Sequence, residues 1–163
     1  MDITWNDDNF IQEAVEKYSD MVIRIAFQNL KNMPDAEDVA QEVFIKLMKL
    51  PAYNSNEHLK AWIIRVTINQ CKDLKKSFWN RKTQALIDQD QLFTEEQKGV
   101  MEELWKLPEN YRNTVYLYYY EEYTIPEIAN LLNKKVNTVS SWLRRAKIKL
   151  RDILMEREFD YEK

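Results

Sequence analysis

The stretch TIPEIANLLNKKVNTVSSWLRRAKIKL, residues 124–150, decides the fold. Thr124 and Glu127 form the T-x-x-E spacing of a capping box, in which each side chain satisfies the other residue's backbone N–H at a helix start. Asn133, a residue that tolerates left-handed φ, marks the end of this helix. After a three-residue turn, Val136, Val139, Leu143, Ala146 and Leu150 recur at helical spacing and predict the buried stripe of a second, longer helix. Ala129 is small, as needed where two helices cross closely. The pattern predicts a helix-turn-helix.

The second helix is also where the charge sits. Asn133 to Arg151 holds seven basic side chains (Lys134, Lys135, Arg144, Arg145, Lys147, Lys149, Arg151) and no acidic one, although the 163-residue chain is formally −3. At 100° per residue the stripe leaves Asn137, Ser141, Arg144 and Arg145 facing outward, with Ser140 and Arg151 on the flank. Arginine binds guanine in a bidentate manner, and serine and asparagine bond to base edges or phosphates, so this face suits a DNA major groove. Trp142 projects to the edge of the stripe and is expected to pack against the preceding helix. Ile148, on the basic face, has no reading.

Working outward, one glycine and four prolines in the chain argue for helices joined by short polar turns rather than sheets. No apolar run approaches the ~18–20 residues that cross a bilayer, and the acidic start MDITWNDDNF is unlike a signal peptide. A single cysteine, Cys71, excludes an internal disulfide and lies on an apolar stripe, as a buried thiol would. These features predict an all-α, cytoplasmic protein that does not insert into a membrane. His58 has no second ligand at metal spacing, and one glycine cannot build a phosphate loop. No enzyme, metal or cofactor is expected.

Helical periodicity predicts a helix over 8–31 (Phe10, Ala14, Tyr18, Met21, Ile25). A second starts at Pro34 with Asp35, Glu37 and Asp38 at the positive end of its dipole. Its buried face is Val39, Val43, Leu47 and Leu50; Asp38, Gln41, Glu42 and Lys49 lie opposite. Pro51 stops it, and PAYNSNE reads as a polar turn. A long helix follows over about 56–79, with Ala61, Ile64, Ile68, Cys71 and Phe78 on one side and Trp62, Arg65, Asn69 and Asp73 on another. Lys60 to Lys82 carries seven basic residues against Asp73 alone. Two basic blocks on an otherwise acidic body predict two contact surfaces for a polyanion. Residues 81–97 read as a linker able to span about 50 Å when extended. The domains are then 1–80 and 98–163, the second opening with a short helix (Val100, Met101, Leu104, Leu107) stopped by Pro108.

The chain resembles the extracytoplasmic-function (group IV) sigma factors of bacterial RNA polymerase. DAEDVAQEVFIKLMKL resembles the family's polymerase-docking helix, HLKAWIIRVTINQCKD its promoter-melting and −10-reading helix, and LPENYRNTVYLYYYEEYTIPEIANLLNKKVNTVSSWLRRAKIKL its −35-binding domain. The match spans roughly 8–80 and 98–152. It implies that Asp38, Gln41 and Glu42 meet the β′ clamp helices of core polymerase. Arg65, Asn69, Lys72, Asp73, Lys75 and Lys76 would lie along the −10 element, with the turn at Asn54 and Asn56 capturing a flipped base. Trp62 has two readings, a melting wedge or a core residue. Asn137, Thr138, Ser141, Arg144, Arg145 and Lys147 would sit at the −35 element of promoter DNA. The linker would run through the RNA-exit region, and an anti-sigma partner is a family expectation. Asn133, Lys135 and Trp142 depart from the family's usual glycine, serine and basic residue. A stand-alone helix-turn-helix regulator is the alternative that residues 100–155 alone would support.

Overall fold

In the computed structural model of the protein, the described residues are 3–4, 8–50, 52–53, 56–77 and 102–161. The chain divides into two compact units, Met1–Leu92 and Phe93–Lys163. The linker expected over 81–97, together with Asn54, Phe78, Trp79, Val100 and Met101, lies outside the described residues.

The first unit is built from α1 (Asp8–Leu30), α2 (Met33–Met48) and α3 (Asn56–Ser77). Each packs on the other two. Their core is the predicted periodic set: Ala14, Tyr18, Met21 and Ile25 from α1, Val39, Val43 and Leu47 from α2, and Ile64, Ile68 and Cys71 from α3 are all buried. Each large aliphatic side chain so buried stabilises the unit by about 1.5–3 kcal/mol. Phe10, Leu50 and Ala61 are only half-buried: Leu50 lies past the end of α2, and Ala61 sits at the edge of a face that Leu59, Ile63 and Ile64 bury.

Lys31, at φ 58°, turns the chain out of α1. The Asn32 side chain then caps α2 by accepting the Asp35 N–H at 3.0 Å, two residues ahead of the proline that the sequence marks as the start. Beyond Pro51 the expected polar turn is partly extended. Ala52–Tyr53 pairs antiparallel with Ile3–Thr4, two residues a side, an addition to an otherwise helical fold. A side-chain bridge, Lys46 Nζ to Gln70 Oε1 at 2.6 Å, ties α2 to α3.

The second unit carries α4 (Glu109–Val115), a π-helical turn (Tyr116–Tyr120), α5 (Ile125–Leu132) and α6 (Val136–Tyr161). The π turn is closed by the Glu121 N–H to the Tyr116 carbonyl, five residues back, at 3.2 Å. It continues directly from α4 and breaks that helix's regular period. Leu107, Val115, Leu143 and Ala146 form the core that joins α4 to α6. Arg112 is buried beside it and donates to the Leu107 carbonyl at 3.4 Å. Desolvation lowers its pKa, and Glu109 opposes that shift.

Candidate functional site

The turn between α5 and α6 is fixed at both ends by local chemistry. At the start of α5 the Thr124 Oγ1 accepts the Glu127 N–H at 3.3 Å. The Glu127 Oε1 accepts the Thr124 N–H at 3.0 Å and its hydroxyl at 2.8 Å. These bonds favour the ionised form and hold the Glu127 carboxyl below its ordinary range. At the other end Asn133 adopts φ 54°, ψ 51°. The Lys134 N–H reaches the Ala129 carbonyl at 2.9 Å and the Asn133 N–H reaches that of Asn130 at 3.3 Å, a Schellman closure. Ile128, Ala129 and Leu131 bury the inner face of α5, which packs on α6.

On α6, Val139, Leu143 and Ala146 are buried and Leu150 is half-buried, as the stripe predicts. Val136 is 48% exposed and does not belong to the core. As the first helical residue it adjoins the turn, and burial begins only one turn later. Asn137, Arg144, Arg145 and Lys147 are exposed, while Thr138 and Ser141 are half-buried. Trp142 is half-buried and Ile148 exposed. Arg144, Arg145, Lys149 and Arg151 make no ion pair with a described residue, so nothing among the described residues offsets the positive charge of this face. Lys147 turns instead toward the tyrosines of the π turn, with its Nζ over the Tyr118 and Tyr119 rings. Nothing in the linear pattern links Lys147 to those rings, because helical periodicity describes each element alone.

In the first unit, α3 opens at Asn56 and presents Trp62, Arg65, Asn69, Lys72, Asp73 and Lys76 on the side away from its buried residues. Asn69, Asp73 and Lys76 are exposed; Arg65, Lys72 and Trp62 are half-buried. Lys75 falls off this strip, rotated toward the side of Ile68 and Cys71. On α2, Asp38, Gln41 and Glu42 are all exposed and bond to no described residue. Ile45 and Met48 are exposed on the same side. This apolar pair is absent from the charged pattern that marks the face, although Ile45 and Met48 stand at i+7 from Asp38 and Gln41, the spacing that places them there. Among the described residues no three His, Cys, Asp or Glu side chains are grouped to hold a metal ion. No described helix is long and apolar enough to cross a membrane.

The chain has matches among known families, curated relatives and solved structures. Residues 14–81 match the family model for sigma-70 region 2, and residues 99–150 match that for sigma-70 region 4. The chain is 25% identical over 171 residues to the ECF RNA polymerase sigma factor SigW of Bacillus subtilis (strain 168), covering 92% of this chain and 91% of that one. It is 28% identical over 143 residues to RNA polymerase sigma factor SigV of the same organism, covering 83% and 84%. In fold it is similar to the sigma factor RpoE of Bartonella quintana, solved with the anti-sigma factor NepR. That match has a TM-score of 0.71 and 18% identity over 90% of this chain and 97% of that one. CnrH, solved with the cytosolic domain of CnrY, gives 0.69 and 21% over 93% and 91%.

Proposed function

The chain belongs to the extracytoplasmic-function group of the sigma-70 family and is an RNA polymerase sigma factor, and on that premise we propose how its surfaces divide the work. α2 docks on the β′ clamp helices through Asp38, Gln41 and Glu42. The outer strip of α3, with Arg65, Asn69, Lys72, Asp73 and Lys76, follows the −10 element; Lys75 borders it, and Asn54 and Asn56 hold a flipped base. The half-burial of Trp62 fits a ring braced by the unit while one part reaches the melted strand. α6 enters the −35 major groove with Asn137, Thr138, Ser141, Arg144 and Arg145, and Lys147 lies at its edge. Domain roles then fall on 1–80 and 98–163, with 81–97 as the tether.

The observation that carries this division is the α6 face. Its arginines pair with no described carboxylate and lie beside Asn137 on the helix that follows the turn fixed by the capping box and the left-handed Asn133. Base edges specify and phosphates position, and that face holds groups for both. A stand-alone regulator is not favoured, because residues 14–81 match region 2 of the same family. The protein works in the cytoplasm, where polymerase is, and accelerates initiation by recruitment without catalysing a bond change. An anti-sigma protein is a partner of the kind that the Bartonella quintana neighbour was solved with.

Site-specific photo-crosslinking in the polymerase–promoter complex tests the division. A crosslinker at Asn137 should label only the upstream element and one at Asn69 only the downstream element. Crosslinks from both positions to one element would refute it.

A further inference from the structure

The π turn is where the molecule departs most from its own periodicity, and the family reading gives it no task. The Lys147 ammonium lies 5.6 Å from the Tyr118 ring centroid and 5.8 Å from that of Tyr119. The two rings meet edge to face, with centroids 4.9 Å apart and planes at 82°. Tyr118 packs against the core that holds Leu143 and Ala146, whereas Tyr119 is 54% exposed. The pair is therefore anchored on one side and open on the other.

Along α6, Ser140, Lys147 and Arg151 follow at i, i+7 and i+11 and share one flank between the buried stripe and the outermost strip, with the outward-facing Arg144 at its border. Lys147 makes no ion pair with a described carboxylate. An aromatic face steadies an ammonium without neutralising it, whereas a carboxylate partner would cancel the charge. Lysine otherwise waves a point charge on a four-carbon stem. A seated ammonium still directs N–H donors away from the rings, and a point charge suits a phosphate better than a base edge, which favours a planar fork.

We propose that Tyr118 and Tyr119 position Lys147 as a contact to the DNA backbone, outside the base-reading residues of α6; this rests on the assignment of α6 to DNA. The partner is duplex DNA because the flank continues the charged face through Arg144 and Arg151. The contact adds affinity and carries no sequence preference. Tyr118 and Tyr119 act through Lys147 as positioning residues.

A fluorescein-labelled mixed-sequence duplex of about 30 base pairs suffices as probe, titrated with the full chain at several salt concentrations by anisotropy. One lost phosphate contact flattens the plot of log affinity against log salt by about 0.9. Between 50 and 200 mM salt, Lys147→Gln should thus lose about 3.5-fold less affinity than the wild type. Tyr119→Leu should weaken binding by a smaller factor than Lys147→Gln, and Tyr119→Phe, which keeps the ring, should restore it. Tyr119→Leu combined with Lys147→Gln should bind as Lys147→Gln alone does. An unchanged salt slope for Lys147→Gln overturns the proposal. So does a Tyr119→Leu effect of equal size with or without Lys147, which would mark the ring as merely structural. Arg145→Ala on the same duplex separates the two levels: if it weakens binding while the Lys147 variant is silent, only the seat falls. If both are silent, the assignment of α6 to DNA falls with it. Tyr119→Phe and Lys147→Gln decide the matter even where Tyr119→Leu fails to fold.

Discussion

Removing the Thr124 side chain tests whether local chemistry holds the helix-turn-helix in shape. Thr124→Ala deletes the acceptor for the Glu127 N–H and the hydroxyl donor to Glu127 Oε1, and leaves the backbone bond from Thr124 N in place. N-cap losses run about 0.5–2 kcal/mol. The accepted bond here is 3.3 Å, longer than the usual 2.9–3.0 Å, and water reaches the site, so the lower part of that range applies, about 0.5–1 kcal/mol. That raises the local opening of α5 roughly two- to fivefold. Amide hydrogen exchange reads this directly at Ala129 and Leu131, with Ile63 and Ile64 of the other unit as internal controls. The partner residue adds a pH signature. Glu127 titrates below its ordinary value when folded, so the unfolded chain takes up the proton first. Its contribution is complete above about pH 4.5, the ordinary value, and is lost as pH falls through the lowered folded value. Exchange of wild type and Glu127→Ala should therefore differ at neutral pH and converge in acid, by a small amount because the carboxylate is solvent-screened. Unchanged protection in Thr124→Ala at neutral pH, or a Glu127→Ala gap that persists in strong acid, would refute the capping account.

Asn133 sits at φ 54°, so Asn133→Gly should match or raise the melting temperature, whereas Asn133→Ala should lower stability by about 1 kcal/mol, followed by far-UV circular dichroism. Ile64 is fully buried, and Ile64→Ala should cost about 2–5 kcal/mol in urea unfolding of the first unit. Asp38→Lys with Glu42→Lys reverses two exposed charges; affinity for purified core polymerase should fall at least about tenfold, with the circular dichroism spectrum unchanged.

Most helices were legible in the sequence because their signals are local. Val39, Val43 and Leu47 announce a face by spacing alone, and Thr124, Glu127 and Asn133 announce both ends of α5 by chemistry that acts within a few residues. What escaped depends on distance along the chain or on a change of period. The Ile3–Thr4 pairing with Ala52–Tyr53 joins segments nearly fifty residues apart through backbone groups that any side chain permits. The π turn adds a residue to a helix that 3.6-residue bookkeeping treats as regular, and so hid the meeting of Tyr118 and Tyr119 with Lys147. Val136 failed for a different reason, since periodicity gives a residue's direction and says nothing about whether a neighbour is there to cover it.

Run-off transcription with purified bacterial core polymerase on a promoter-rich genomic template tests the central claim most directly, comparing the protein with its Arg144→Glu, Arg145→Glu double variant. The wild type should produce new start sites that share spaced −35 and −10 elements. The double variant should bind core polymerase equally well and lose those transcripts. A wild type that binds polymerase yet yields no new start site, or a double variant that still transcribes from the same sites, would contradict the account.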